Sequence, residues 1–215
     1  MHALRYSAPT VFRTSLSILA VALLTAGCGT SSVSKKPARM DIQEEVGFII
    51  TEEARINSAV RAEYDEALRL LEQGNNAEGI ALLAKAAEEA PHLSAPRIDL
   101  GIAYQRAGDL AAAEAELQKA LAINPEHPVV HNELGIVYRK SGRFAEARRS
   151  YEAALAIYPS FHFARRNLAI LCDLYLVDME CALEQYLAYV ETAPEDEEAS
   201  MWLADIRNRM DQQVQ

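Results

Sequence analysis

Cysteine, aromatic bulk and positive charge are all in short supply. The 215 residues hold three cysteines, Cys28, Cys172 and Cys181, too few for a disulfide framework. Aromatic residues make up 7% of the chain and tryptophan occurs once. Alanine is abundant instead, which suits helices packed close together. Lys and Arg number 21 against 31 Asp and Glu, a formal net charge of −10. A surface of that sign repels nucleic acid and anionic lipid. No RNA- or DNA-binding pattern stands against it, so nucleic acid is not an expected partner. Long apolar runs are missing too. "LSILAVALLTA", Leu16 to Ala26, is too short to span a bilayer comfortably.

Chemical constellations are equally absent. There is no serine-centred elbow, no glycine loop to cradle phosphate and no metalloprotease helix motif. The expectation is a protein that is not an enzyme and needs no cofactor. The histidines beyond the N-terminal region are His92, His127, His131 and His162. Three of them sit at junctions between repeating units. No acid or cysteine completes a set with His127, His131 and His162 at ligand spacing, so no metal is expected.

What the chain does have is a phrase said twice. Arg97, Leu100, Gly101, Tyr104, Ala113, Leu117, Ala120 and Pro125 recur 34 residues later as His131, Leu134, Gly135, Tyr138, Ala147, Tyr151, Ala154 and Pro159. Small residues let two helices approach at the glycine and alanine positions. Pro125 and Pro159 stop the second helix of each unit, because proline lacks the N–H and crowds the preceding turn. A period of 34 with these residues resembles the tetratricopeptide repeat (TPR) family. The resemblance implies an all-α, right-handed TPR solenoid of about four helix hairpins, A and B in each, closed by a C-terminal capping helix. One hairpin cannot bury its own apolar face, so stacked neighbours must share a core.

The period divides the chain. Residues 60–93 form a degenerate first repeat, 94–127 a second, 128–161 a third and 162–195 a fourth. In the fourth, Arg165, Leu168, Ala169 and Cys172 are in phase, but Ala182, Tyr186, Tyr189 and Pro194 arrive one residue late. The turn around Leu174–Met179 therefore holds one inserted residue. Residues 196–215 begin with acids that suit a helix N-terminus and read as the capping helix, with Trp202 a lid on the last repeat. Residues 41–59 are expected to extend the first helix N-terminally. Helix is clear from Thr51, a plausible N-cap ahead of Glu52 and Glu53. "VGFII" just before it is open between a strand-like segment and an early helical turn.

The N-terminus reads as targeting. Arg5 and Arg13 precede the apolar run, and Leu24-Thr25-Ala26-Gly27-Cys28 resembles a bacterial lipobox, with Thr25 where leucine is preferred. The resemblance implies a lipoprotein signal peptide over residues 1–27, cleaved before Cys28, which then carries the lipid. Gly29 rather than Asp after the cysteine goes with sorting to the outer membrane, so the expected location is its periplasmic face. Residues 28–40, small and polar with a proline, are expected to be a lipid-anchored flexible tether. The acyl chains make membrane a partner through this anchor. Cys172 and Cys181 lie nine apart, near the end of one helix and the start of its partner. The expectation is two separate, buried, small apolar residues. The alternative is a bridge, which requires Cα atoms within about 7 Å.

By repeat position the A helices line a concave groove that, in TPR proteins, holds a protein or peptide segment. Its expected inner surface includes Ala95, Ile98, Ile102, Gln105, Val129, Asn132, Ile136, Phe163 and Ile170. The basic residues Arg106, Arg139, Lys140 and Arg166 are expected beside them. Arg106, Arg139 and Lys140 are equally explained as last-turn residues that offset the helix dipole. Apolar pockets beside a cationic strip imply a ligand with a few apolar residues and acidic neighbours. The resemblance implies a non-enzymatic interaction scaffold. Its layout is similar to pilus-biogenesis lipoproteins, including those that pilot a secretin. Adaptors for cell-wall hydrolases or outer-membrane protein assembly are nearly as compatible.

Overall fold

The computed structural model describes residues 39–43, 47–51, 57–194 and 196–213. Cys28, the signal segment and most of the tether lie outside them. The described residues divide into two units at residues 53 and 54.

In the first unit, β1 (Arg39–Gln43) pairs antiparallel with β2 (Gly47–Thr51), Arg39 opposite Thr51 and Gln43 opposite Gly47. This corrects the expectation of helix from Thr51. Phe48, Ile49 and Ile50 are strand formers by residue type, and Thr51 ends the strand instead of capping a helix. The first helix starts later, capped by Asn57, whose side chain accepts from the Ala59 N–H at 3.0 Å.

The second unit is an all-α TPR-type solenoid of four hairpins and a closing helix. The pairs are α1 (Ser58–Glu72) with α2 (Asn76–Glu89), α3 (Ala95–Ala107) with α4 (Leu110–Ile123), and α5 (Pro128–Lys140) with α6 (Phe144–Ile157). The fourth is α7 (His162–Leu171) with α8 (Met179–Thr192), and α9 (Glu197–Gln213) follows. Each helix packs on the next in the chain. α3 also touches α5, and α5 touches α7, so these three A helices share one face.

The small slots explain how close the helices come. Ala113, Ala147, Ala120 and Ala154 are fully buried. A Cβ built on Gly101 would sit 2.7 Å from Leu117 Cγ, and one on Gly135 2.4 Å from Tyr151 Cε1. Those contacts leave no room for a larger residue. Tyr151 itself is wholly buried, in a cluster with Leu168, Leu171, Cys172, Tyr186 and Ile206 that joins the third pair to α9. The second and third hairpins turn at Gly108 and Gly142, both left-handed, with φ of 88° and 73°.

The fourth hairpin departs from that pattern. After α7 the chain makes a π-helical turn, Cys172–Leu176, and Val177 takes the left-handed conformation with φ 54°. A π turn accommodates one more residue than an α turn, which is the one-residue lag in the sequence. Cys172 and Cys181 are joined, S–S 2.02 Å and Cα–Cα 5.8 Å. The expectation of two separate cysteines is overturned, because the π turn brings the end of α7 back onto the first turn of α8.

Candidate functional site: the A-helix face

The odd-numbered helices carry the residues assigned to the groove, and burial sorts them into three groups. Ile98, Gln105 and Asn132 are buried, at 7%, 9% and 2% exposure. Val129 is buried as well. These four build the wall. Ile102, Ile136 and Ile170 are half-buried, one on each of α3, α5 and α7. They form the accessible apolar row, with Ala95 and Phe163 also half-buried near the helix starts. Phe163 packs on Phe161 and His162, ring centroids 6.0 and 3.9 Å away. Arg106 and Lys140 are exposed at the ends of α3 and α5.

The cations are less free than their spacing suggests. Arg166 Nη2 lies 3.7 Å from Glu198 Oε2, and its guanidinium carbon 5.2 Å from the centroid of the Trp202 ring. Both partners belong to α9, which comes after the last repeat, so a pattern read within the repeats does not show them. Arg139 lies over Tyr175, 5.7 Å from its centroid, and donates to its hydroxyl at 3.4 Å. The continuous cationic strip is therefore broken: Arg166 is countered by α9, and Arg139 leans towards the π turn.

Two acids outside the expected groove set lie on the same helices. Tyr64 of α1 donates its hydroxyl to Asp99 Oδ2 of α3. Asn132 Nδ2 donates to Glu133 Oε1 at 3.2 Å, and Asn167 Nδ2 of α7 donates to Asn132 Oδ1 at 2.9 Å. Burial pushes the Asp99 carboxyl up to about 6, against the Tyr64 hydrogen bond that pulls it down. Burial likewise pushes Glu133 up to about 7, with Asp99 adding to the rise and Asn132 opposing it. A carboxyl loses hydration when buried, so its charged form is disfavoured. Asp99 and Glu133 stand one 34-residue period apart, which is the sequence signal they share.

The histidines do not gather. His127 is 8% exposed. Burial pushes its pKa down to about 4, with His131 adding to the effect, so it is neutral at pH 7. A His131 ring nitrogen sits 2.9 Å from the Pro125 carbonyl, and the His162 ring lies against that of Phe163, tilted 45° to it. Among the described residues the group with ligand spacing is Cys172, Asp178 and Cys181, and its two sulfurs are bonded to each other. Asp178 has other work there. It caps α8 by accepting from the Cys181 N–H at 3.0 Å, and it pairs with Arg148 of α6 at 3.1 Å.

Two tetratricopeptide-repeat family models match, over residues 64–128 and 99–160. Among curated proteins none matches the sequence. Solved structures do match in fold. MamA from Desulfovibrio magneticus is 23% identical, with a TM-score of 0.65, over 73% of this chain and 88% of that one. Pseudomonas aeruginosa pilF has the same identity and TM-score, over 73% of this chain and 71% of its own. The first TPR of Spaghetti, bound to an HSP90 peptide, is 22% identical with a TM-score of 0.52, over 54% of this chain and 94% of that one.

Proposed function

We propose that this chain, in which residues 64–160 are tetratricopeptide repeats, is a non-enzymatic scaffold anchored through Cys28 to the periplasmic face of a bacterial outer membrane. It holds a segment of a partner protein on its A-helix face and aids assembly of an envelope machine such as a pilus or a secretin.

The observation that carries the binding half is the row Ile102, Ile136 and Ile170, half-buried on three successive A helices. Apolar residues left part-open in a line suit an elongated segment with spaced apolar anchors. A solenoid stacks such units into an extended concave surface. Spaghetti, of the same fold, holds a peptide; the mode of binding is carried over here, and the peptide's identity is not. The envelope half rests on the Leu24–Cys28 pattern. The Cys172–Cys181 bond is in keeping with it, since disulfides persist in oxidising compartments such as the periplasm. The layout shared with pilus-biogenesis lipoproteins makes that machinery the expected setting.

Two experiments test the two halves. A photo-crosslinking residue at Ile136, on the A-helix face, should trap one partner in cells. The same residue at Arg149, exposed on α6, should trap none, and the reverse pattern would sink the groove. For the anchor, Cys28→Ser should abolish labelling by a fatty-acid analogue and leave precursor-sized protein. Undiminished labelling of that variant contradicts the anchor.

A further inference from the structure

The two bonded sulfurs of the fourth hairpin have unequal surroundings. Cys172 is fully buried, in the cluster with Tyr151, Leu168, Tyr186 and Ile206. Cys181 is half-buried, in the first turn of α8. It lines a cleft of about 390 Å³ between α6, α7 and α8, with Leu155 of α6 and Leu168 of α7 in the same wall. A reactant that enters this cleft from solvent meets Cys181 and not Cys172. Disulfide exchange depends on which sulfur is reached, so the two ends of the bond are not equivalent.

Charge does not choose the reactant. Arg148 stands in the wall of the cleft but is paired with Glu152 and Asp178. Arg165 donates to the Pro159 carbonyl at 2.6 Å and to Gln185 Oε1 at 3.4 Å. Glu184, exposed, borders the same space. Size and sulfur chemistry are left to decide, and both suit a small thiol.

The bond also closes a turn that is costly to hold. Val177 is β-branched and left-handed, with φ 54°, a strained combination. Leu174 and Val177 are 65% and 71% exposed, so their apolar area stays in water. Opening the bond lets both costs relax. Strained or exposed disulfides are the labile ones, and this one is open on one side and closes a strained turn. The same turn carries Tyr175, whose ring packs 4.9 Å from that of Phe144 and lies beneath Arg139 of the A-helix face.

We propose that Cys181 is a thiol-exchange site, reached through the α6/α7/α8 cleft, and that exchange there releases the turn that holds Tyr175 beneath Arg139. The reactant is a small thiol, RSH. Its thiolate attacks Cys181 Sγ and forms a mixed disulfide. The bond to Cys172 breaks, and its electron pair leaves on Cys172 Sγ, which takes a proton. A second thiolate attacks the sulfur of R, releases Cys181 as a thiol after protonation, and forms RS–SR. Two thiols are oxidised to one disulfide, and the protein bond is reduced by two electrons.

The oxidised full chain, folded and incubated with reduced glutathione, quenched in acid and mapped by mass spectrometry, tests the site. Glutathione on Cys181 should exceed that on Cys172 by at least about tenfold. Ala156→Trp, at an exposed position of the cleft wall, should slow the exchange by about threefold or more. Arg149→Trp, exposed on α6 outside the wall, should leave the rate unchanged. Equal labelling of the two cysteines, more on Cys172, or exchange only in urea overturns the site. An unchanged rate in Ala156→Trp, or equal slowing in both tryptophan variants, overturns the cleft as its entry. For the release, chymotryptic cleavage after Tyr175 should rise about tenfold on reduction, since proteolysis tracks local opening. Equal cleavage of the oxidised and reduced chains overturns the release.

Discussion

The third and fourth hairpins use the same slots and secure them differently. In α5/α6, Gly135 admits the Tyr151 ring, Ala147 is fully buried, and Gly142 makes a left-handed turn. Packing and backbone freedom suffice. In α7/α8 the turn holds one residue more. The chain absorbs it as a π turn, places Val177 where glycine would be free of strain, and adds a disulfide and the Arg148–Asp178 pair. The third hairpin is held by stacking and a glycine turn alone. The fourth is a repeat with a covalent brace, and the brace surrounds the most exposed apolar residues of its turn. The difference teaches that departures from the period mark where a solenoid does something besides stack.

Mutation separates the two hairpins. The largest effect should come from the brace. Cys172→Ala with Cys181→Ala opens a loop of roughly ten residues and should cost about 2–3 kcal/mol in the chain-entropy account, read as a lower urea midpoint. A midpoint equal to wild type would mean that the bond holds nothing the packing does not.

Next comes the third hairpin. Ala147→Leu should overpack the wholly buried slot and cost about 1–3 kcal/mol, with damage passing to both neighbouring pairs through shared interfaces. Gly135→Ala should cost more than Gly101→Ala. The new methyl would meet the buried Tyr151 ring at 2.4 Å, whereas at Gly101 it meets a leucine side chain at 2.7 Å. Thermal melts of the two alanine variants give the order directly.

A pH effect belongs to the A-helix face. The folded state binds the Glu133 proton up to about pH 7, while the unfolded carboxyl releases it near its ordinary 4.5. Stability from this group is therefore greatest below about 4.5, falls as pH rises to about 7, and is flat above. Asp99 acts in the same direction up to about 6. His127 acts oppositely: its pKa is depressed to about 4, so its contribution is lost as pH falls below 6.5. Glu133→Gln should remove the Glu133 share of the decline and leave that of Asp99, so that variant and wild type diverge in melting temperature between pH 4.5 and 7. Parallel profiles would show that the carboxyl is not desolvated. The smallest change is expected at the turn. Val177→Gly relieves the left-handed strain but loosens the unfolded chain, for a net gain of about 0.5–1 kcal/mol.

These contrasts also measure what a sequence can tell. The small slots at Gly101, Gly135, Ala113 and Ala147 were legible because helix contacts within a repeat recur with the period. The lag of Ala182, Tyr186 and Tyr189 was legible as one extra residue, because a period makes an insertion visible. Its form as a π turn was not, and neither was the bond it permits between Cys172 and Cys181. Pairing two cysteines depends on a few ångströms of backbone path, which spacing does not specify. The sequence "VGFII" is compatible with the strand at residues 47–51 and with a helical turn, and the helix expected from Thr51 is wrong because an acidic run after a threonine resembles a cap in either setting. Arg166 was expected to face a ligand. Its counter-charge comes from α9, which has no counterpart in the repeats. Asp99 and Glu133 share a repeat position, but a period does not distinguish a buried acid from a solvated one.

The fourth hairpin is braced independently of the stacking that secures the others. Hydrogen–deuterium exchange, compared between the oxidised chain and the chain reduced with excess dithiol, tests it most directly. The account predicts that protection falls across Cys172–Leu176 and the first turns of α8, while α3 to α6 exchange as before. Uniform loss across all four hairpins, or no change around the bond, would contradict it.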